Sequence, residues 1–351
     1  MPGRLNAESA APTDPRPERI GLVGCGRRGI QLASQLLDSN PSAKLVALAD
    51  VLPDALQRCA RSLNGKYRNQ VDIPRSGRFT GIAADVAVLD AEIDTLVIAG
   101  CPADRPRHIE SAIRRGLHVV SARPIAVCAE GLSRFDATRA TAARQGLKLE
   151  VPCDLVSNAN VQQSIRRIHG GGIGRLLSLR ALVNARPLPA IATRANEPTE
   201  VNRVRNWQHF PTLSGGGPLE ELADRLWLCN EIAGGPPLAA QGIGSASAEG
   251  AMLDRLAVEM DYGSIGLHAF WRRSSVDFSG CTLSAHGTEG WCDVLAGKVF
   301  DHDNHLLWSS GSDSGSAGHF GAEGAFAATL AAIMAREAAL SGKRISRSDF
   351  V

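Results

Sequence analysis

The feature that most constrains the fold is a glycine-rich turn near the start of the chain. It lies between a short apolar run, RIGLV, and a segment whose apolar residues recur at helical spacing. Strand, turn and helix in this order form the dinucleotide-binding fingerprint, in which the first glycine permits a tight turn, the second admits a pyrophosphate and the third lets the helix pack on the strand. The sequence therefore predicts a cofactor-binding loop made of Gly24, Cys25, Gly26, Arg27, Arg28 and Gly29.

Asp50 ends a second apolar strand, AKLVALAD, about 20 residues beyond Gly29. A carboxylate at this place accepts hydrogen bonds from the ribose hydroxyls and repels a 2′-phosphate, so NAD is expected and NADP is less favoured. A second interpretation stays open: the glycines serve only packing, and Asp50 caps the helix that begins at Pro53.

Apolar strands and helices alternate to about residue 147, which predicts a doubly wound α/β Rossmann domain with a parallel sheet. From Lys148 onward strand candidates follow one another with short turns, and two long helical segments accompany them. This pattern is typical of an α+β domain with a large, mostly antiparallel open sheet. The predicted divisions are residues 1–17 (disordered lead-in), 18–147 (Rossmann domain), 148–325 (α+β domain) and 326–351 (C-terminal helix and tail), with a flexible loop at Ser309–Gly318.

The composition argues against several classes of protein. Of 351 residues, 44% are hydrophobic and 21% are charged, which is ordinary for a globular chain. A formal net charge of +2 at pH 7, without long runs of like charge, offers no field for nucleic acid or an anionic membrane. The eight cysteines lack metal-ligand spacing, and no signal peptide or membrane span is apparent, so a cytoplasmic protein without a metal site is expected.

Four sequence blocks resemble, in order, those of the glucose-fructose oxidoreductase, inositol dehydrogenase and MocA (Gfo/Idh/MocA) family. They are IGLVGCGRRG, IDTLVIAG with IRRGLHVVSARPIA, RNWQHFPTLSGGGPLEELADRLWLCNEIAGGPP and ATLAAIMAREAALSGKRISRSDF. The resemblance implies a Rossmann domain, a second domain whose open sheet forms a dimer or tetramer interface, and NAD(P)-dependent oxidation or reduction of a sugar or polyol. It also implies cofactor contacts at Ala99, Cys101 and Arg123.

The resemblance weakens at the turn that follows the strand LHVVSA. Relatives carry a Glu-Lys-Pro triplet there, whose lysine holds the reacting hydroxyl and tunes its acidity, whereas this chain has Ala122-Arg123-Pro124. Arginine stays protonated to pH 12 or beyond, so Arg123 cannot replace that lysine as an acid. It keeps a positive charge and can still orient an oxygen.

The resemblance also weakens on the helix of the second domain, where relatives carry an acid, a histidine and an aspartate after a Gly-Gly pair. Because Gly215, Gly216 and Gly217 are consecutive, two registers are open, and neither contains histidine. The first register gives Glu220, Asp224 and Trp227, and the second gives Glu221, Arg225 and Leu228.

In the first register Glu220 and Asp224 are four residues apart, so a helix places both carboxylates on one face. If this face lines the cleft, mutual repulsion raises one pKa and creates a general acid or base. If it faces solvent, Arg225 and nearby charges pair with it. The catalytic candidates are therefore Arg123, Glu220 and Asp224.

Five other side chains are secondary candidates. His108, at a helix start, is expected to be a capping or surface histidine. Trp207 and His209 line the substrate cleft or serve packing, and Asp154 and Asn158 follow the linker strand, where relatives bring substrate contacts.

The function expected is an NAD(P)-binding oxidoreductase of the Gfo/Idh/MocA type with an altered catalytic site, acting on a sugar- or polyol-like ligand. Two alternatives are kept: a non-redox enzyme that uses NAD transiently, as some glycosidase relatives do, and a catalytically silent binding protein. A homo-oligomer is expected through the sheet of residues 245–300, where Leu267, Phe270 and Trp271 would be costly to leave in water.

Overall fold

The computed structural model describes residues 16–194, 196–246, 252–273, 279–311 and 321–350. Most of the predicted lead-in at 1–17 and most of the predicted loop at Ser309–Gly318 lie outside the described residues. In the part of the chain that the structure describes, none of the helices combines the length and the apolar character that crossing a membrane requires.

The first half of the chain forms a six-stranded parallel sheet with helices between the strands. Its elements are β1 (Arg19–Val23), α1 (Arg27–Ser39), β2 (Lys44–Asp50), α2 (Pro53–Lys66), a 3-10 turn (Arg75–Gly77), β3 (Arg78–Thr80), α3 (Ala84–Ala87), a 3-10 turn (Val88–Asp90), β4 (Thr95–Ile98), α4 (Arg105–Arg114), β5 (His118–Ser121), α5 (Ala129–Arg144) and β6 (Leu149–Glu150). The strand order is β3-β2-β1-β4-β5-β6, and all pairings are parallel. The predicted Rossmann domain is confirmed.

The second half forms a nine-stranded sheet with two long helices. Its elements are α6 (Ala159–His169), β7 (Leu176–Ala185), α7 (Thr199–Arg205), a 3-10 turn (Trp207–His209), α8 (Pro211–Ser214), α9 (Pro218–Ala233), β8 (Ala239–Ala246), β9 (Leu253–Asp261), β10 (Gly266–Arg273), β11 (Gly280–Gly287), β12 (Trp291–Asp293), β13 (Lys298–Phe300), β14 (Leu306–Ser309), α10 (Ala322–Ser341), β15 (Ile345–Ser346) and a 3-10 turn (Arg347–Asp349). The strand order is β14-β13-β12-β11-β7-β10-β9-β8-β15. Only β10 and β7 pair in parallel, so the expected mostly antiparallel sheet is confirmed.

One face of the nine-stranded sheet packs against α9 and α10. Leu267 and Trp271 lie on this face with 0% exposure, so the expectation that they contribute to an intersubunit surface was wrong. Side chains alternate along a strand, and of the three residues named for the interface only Phe270 points to the opposite face. On that face an outer stripe of side-by-side apolar residues runs across four strands: Ile243, Ala257, Phe270 and Leu182.

Glycine and proline fix the position of α9, the helix that faces the first domain. The chain turns at Gly215, whose φ is +81°, and Pro218 occupies the first turn of the helix, where a missing N–H costs nothing. The helix ends at Gly234 in the left-handed conformation that glycine adopts at helix C-termini.

The two halves meet close to the predicted divisions. Pairing of β6 with β5 extends the first sheet to Glu150, just past the division predicted at 147. The helix α10 begins at Ala322 and packs on α9, β8 and α5, so it contacts both halves. The divisions themselves stay predictions.

Candidate active site

A pocket of about 240 Å³ opens at the carboxyl edge of the parallel sheet. In the strand order the chain leaves β1 toward β2 and leaves β4 toward β5, in opposite directions, and doubly wound sheets bind ligands at such a switch point. The pocket brings together five of the residues expected to contact the cofactor: Gly24, Gly26, Asp50, Ala99 and Cys101.

The three glycines of the loop serve different purposes. Gly24 has a φ of +88°, and a Cβ atom there would lie 2.4 Å from the carbonyl carbon of Ala99. A Cβ atom at Gly29 would lie 2.0 Å from the carbonyl oxygen of Gly24, so both positions are required by packing. At Gly26 a Cβ atom would meet nothing within 4 Å, and this open cradle lies at the N-cap of α1, where unpaired amides favour an anion. The loop therefore fits the pyrophosphate of a dinucleotide.

Asp50 is hydrogen-bonded to the glycine loop. Its carboxylate accepts hydrogen bonds from the backbone N–H of Cys25 at 2.6 Å and of Leu52 at 2.8 Å. Burial raises the pKa of Asp50, while the two amides act in the opposite direction. Each carboxylate oxygen keeps a further lone pair for a ribose hydroxyl. The N-cap of α2 is Leu52, so the alternative role of Asp50 as the cap of this helix was wrong.

The second domain supplies one wall of the pocket through Val204, Arg205 and Trp207. The Arg205 side chain is 3% exposed and binds Glu197 at 2.6 Å and Asp54 of α2 at 3.3 Å. Trp207 thus lines the same pocket as Asp50. His209, the other aromatic candidate of this block, is exposed.

Arg123 and Asp224 form an ion pair between the two domains. The Nε atom of Arg123 donates to Asp224 Oδ1, and its Nη2 atom donates to Oδ2 at 2.6 Å. A third donor, Nη1, binds the carbonyl oxygen of Pro152 at 2.7 Å. Burial disfavours the charge of Arg123, but the bonds and charge of Asp224 outweigh it and raise the pKa of the guanidinium. Asp224 is therefore held by a cation that does not release its proton.

Arg28 lies next to this pair on the first turn of α1. Its guanidinium also binds the Pro152 carbonyl, at 2.9 Å, and it pairs with Asp154 at 3.1 Å. Gln31 and Gln35 donate to the same Asp154 carboxylate. Asp154 therefore orients α1 against the linker, and Arg27 stays exposed at the start of the helix.

Glu220 lies one turn before Asp224 in a different environment. Burial raises the pKa of Glu220, and the charge of Arg105 opposes that shift. The predicted cause, repulsion by Asp224, was wrong, because the like charge that adds to the shift is that of Glu221. Arg225 binds Cys281 and the Glu221 carbonyl, so the interpretation as a solvated face paired through Arg225 was also wrong.

Arg105 is a buried cation that sequence reasoning missed. It donates to the carbonyl of Gly100 at 3.1 Å and to that of Pro124 at 2.6 Å, and so joins the loop after β4 to the turn that holds Arg123. Burial lowers the pKa of Arg105 to about 10. Its side chain is 3% exposed, and a single arginine in RPRH carries no sequence signal for such burial.

His108 and Asn158 also have roles that differ from those expected. His108 is buried, with its Nε2 atom 2.9 Å from Asp85 Oδ2, so the prediction of a capping or surface histidine was wrong. Burial would raise the pKa of Asp85, but His108 and Arg107 bring it down to about 2. Asn158 caps α6 by accepting from the amides of Asn160 and Val161.

The first domain is a Rossmann domain whose glycine loop forms an open cradle beside a carboxylate. The second domain places the helix α9 toward the cleft. Together they define a two-domain protein of the dinucleotide-binding class. Residues 18–151 match the family model GFO_IDH_MocA, described as an oxidoreductase family with an NAD-binding Rossmann fold. This match to the first domain agrees with the resemblance that the sequence blocks indicated. No curated protein matches the chain significantly.

Solved structures share the fold over nearly the whole chain. Scyllo-inositol dehydrogenase from Lactobacillus casei, with bound NAD(H) and scyllo-inositol, is similar with a TM-score of 0.69 and 18% identity over 95% of this chain and 100% of that one. The WlbA dehydrogenase from Bordetella pertussis, in complex with NADH and UDP-GlcNAcA, is similar with a TM-score of 0.69 and 19% identity over 94% of this chain and 99% of that one. Aldose-aldose oxidoreductase from Caulobacter crescentus is similar with a TM-score of 0.65 and 15% identity over 94% of this chain and 100% of that one. At these identities the likeness shows a common fold.

Proposed function

We propose that this protein is an NAD-dependent oxidoreductase that acts on a sugar- or polyol-like ligand through an altered catalytic site. The observation that carries the proposal is the open cradle at Gly26, with the Asp50 carboxylate bonded to the same loop. The dehydrogenases of similar fold that hold NAD(H) together with a polyol or a sugar nucleotide support the choice of ligand class. All eight cysteines are free thiols, which fits a reducing compartment such as the cytoplasm.

The residues of the site have distinct roles toward the cofactor. The amides that begin α1 receive the pyrophosphate, and Asp50 accepts the ribose hydroxyls. Bound NAD supplies the acceptor for the hydride that leaves the substrate carbon.

Arg123 orients the reacting oxygen. Three of its five N–H donors are used by Asp224 and Pro152, and two are left for an oxygen of the substrate. Because its guanidinium does not titrate, it fixes the position of that oxygen and stabilises negative charge on it, and the proton must go elsewhere.

Glu220 is the residue that takes this proton. The carboxylate of Asp224 is bound to the Arg123 guanidinium, whereas burial raises the pKa of Glu220 and so favours Glu220 as the group that exchanges the proton. We therefore assign Glu220 as general base in the direction of alcohol oxidation, and Asp224 as the residue that positions Arg123.

A second candidate function follows from the same ion pair. Asp224 is bound to Arg123, and neither of these two positions carries a lysine or a histidine. The alternative is therefore a protein that binds NAD and a ligand but does not turn the ligand over.

Two measurements test the proposal. Titration with NADH, followed by fluorescence, should show saturable binding, and spectrophotometry at 340 nm should show NADH formation from NAD⁺ with a panel of inositols, hexoses and sugar acids. Oxidation should increase with pH as Glu220 loses its proton, and Glu220→Gln should remove that dependence. The control Glu221→Gln, a neighbouring acid that binds Trp271 and Arg273, should keep it. Binding without NADH formation on the whole panel would favour the silent protein, and absent NADH binding would overturn both functions.

A further inference from the structure

Residues 197–207 of the second domain, called the strap below, cross the pocket between two elements of the first domain. At one end Arg205 contacts Asp54 of α2. A few residues past the same end, the carbonyl of Leu213 accepts a hydrogen bond from the backbone N–H of Ala103, in the loop after β4, at 3.1 Å. The elements α2 and the loop after β4 lie on either side of β1, so the strap and the residues that follow it are attached on both sides of the cofactor loop.

The attachment to Asp54 joins one buried arginine to two half-buried carboxylates. Glu197 binds two nitrogen atoms of Arg205, at 2.6 and 3.0 Å, and so fixes the guanidinium that reaches Asp54. Arg194 adds a second contact to Asp54 at 3.2 Å. Burial would raise the pKa of Asp54, but hydrogen bonds from Arg58 and Arg205 outweigh it and lower the pKa to about 2, so the attachment is fully charged at neutral pH.

The pocket under the strap is the part of the cleft next to Asp50. Val204, Arg205 and Trp207 line it on the side of the second domain, while Asp50 and Leu52 line it on the side of the first. Under the proposed function, Asp50 binds the ribose, so the adenosine half of the cofactor lies between the sheet edge and the strap.

We propose that the strap holds the adenosine half of NAD in its pocket and that the Arg205–Asp54 contact governs how fast the cofactor leaves. This inference rests on the proposed function, because it needs NAD in the pocket. The Arg205 guanidinium acts as a positioning residue: it does not take part in the reaction, but the wall it fixes must move away before the nucleotide dissociates.

The test is the rate of NADH release from the full-length protein, measured by stopped-flow fluorescence after mixing with excess NAD⁺. Asp54→Asn removes the charged acceptor and keeps the Glu197–Arg205 pair, so release should accelerate about tenfold. Arg205→Met should act in the same direction. The matched control is Arg203→Gln, an exposed arginine on the same helix whose partners among the described residues are Thr212 and Phe210 of the second domain, and it should change the rate less than about twofold.

A second readout keeps the test independent of folding losses and of turnover. Hydrogen exchange of the amides at 197–207 without cofactor should become faster in Asp54→Asn, while exchange in the core strands of both sheets stays unchanged. If the wild type does not bind NADH, the proposed function and the strap proposal both fail. If NADH binds but Asp54→Asn and Arg205→Met release it at the wild-type rate, only the strap proposal is overturned.

Discussion

Arg123 and Asp224 lie 101 residues apart in the chain and form a bidentate ion pair between the turn after β5 and the helix α9. Their side chains are 15% and 14% exposed, so each charge depends on the other for compensation. The pair occupies the two positions at which relatives carry lysine and histidine according to the family resemblance. One interdomain ion pair therefore joins the two domains at the positions where the resemblance implies a lysine and a histidine.

This pair should be strongly coupled in stability. Arg123→Met leaves a buried carboxylate unpaired and Asp224→Leu leaves a buried guanidinium unpaired, so each should lower the free energy of unfolding by about 2–4 kcal/mol. The double variant Arg123→Met/Asp224→Leu should lose less than the sum, because it leaves neither charge alone. Urea denaturation of the four proteins measures the coupling. The more exposed Arg28–Asp154 pair is the control and should show less than about 1 kcal/mol; additive losses at Arg123 and Asp224 would refute the coupling.

The glycine cradle allows ligand binding to be separated from folding. Gly26→Val places a side chain in space that no protein atom occupies, so the melting temperature should stay within a few degrees of the wild type while NADH binding is lost. Gly29→Ala should behave in the opposite way, since its Cβ atom meets the Gly24 carbonyl oxygen and overpacking costs about 1–3 kcal/mol. Calorimetry and NADH titration of both variants distinguish them. Retained NADH affinity in Gly26→Val would place the pyrophosphate elsewhere.

Asp50 should make the protein select NADH over NADPH. Its partly buried carboxylate repels a 2′-phosphate, and the hydrogen bonds from Cys25 and Leu52 hold it in place. Asp50→Asn removes the charge and should reduce the preference by about tenfold, chiefly through tighter NADPH binding. Fluorescence titration with both nucleotides gives the ratio. Wild-type protein that binds NADPH as tightly as NADH would sink the claim.

The outer stripe of the nine-stranded sheet should be the surface through which subunits associate. Ile243 is 74% exposed and lies beside Ala257 and Phe270 on adjacent strands, where contiguous apolar area favours burial against a second copy. Light scattering should show a dimer or tetramer at micromolar concentration, and Phe270→Glu should shift it toward the monomer. A monomeric wild type at that concentration contradicts this prediction.

Local patterns in the sequence were sufficient to predict the Rossmann domain, the glycine loop and the helix α9, because each of them is specified by residues close together in the chain. The pairing of Arg123 with Asp224 and the contact of Arg205 with Asp54 were not predictable in this way. Both join residues from different domains, and their geometry depends on how the domains pack. His108 shows a similar limit within one domain, since its ion-pair partner Asp85 lies on another helix. The family resemblance identified the unusual positions but not the contacts that replace the usual groups.

Restoring the family's titratable groups should require both positions at once. Arg123→Lys alone leaves its ammonium bound to Asp224, and Asp224→His alone leaves an arginine that does not titrate, so neither should raise oxidation of common inositols and hexoses by more than about tenfold. Arg123→Lys/Asp224→His removes the ion pair and supplies a lysine and a histidine side by side, and it should raise the rate by about 100-fold, a typical gain from general acid–base catalysis. NADH formation by the wild type, both single variants and the double variant measures this. Strong turnover by the wild type on common inositols and hexoses would show that the Arg123–Glu220 site suffices for these substrates without a lysine and a histidine. A double variant no faster than the singles would show that the substrate does not reach these positions.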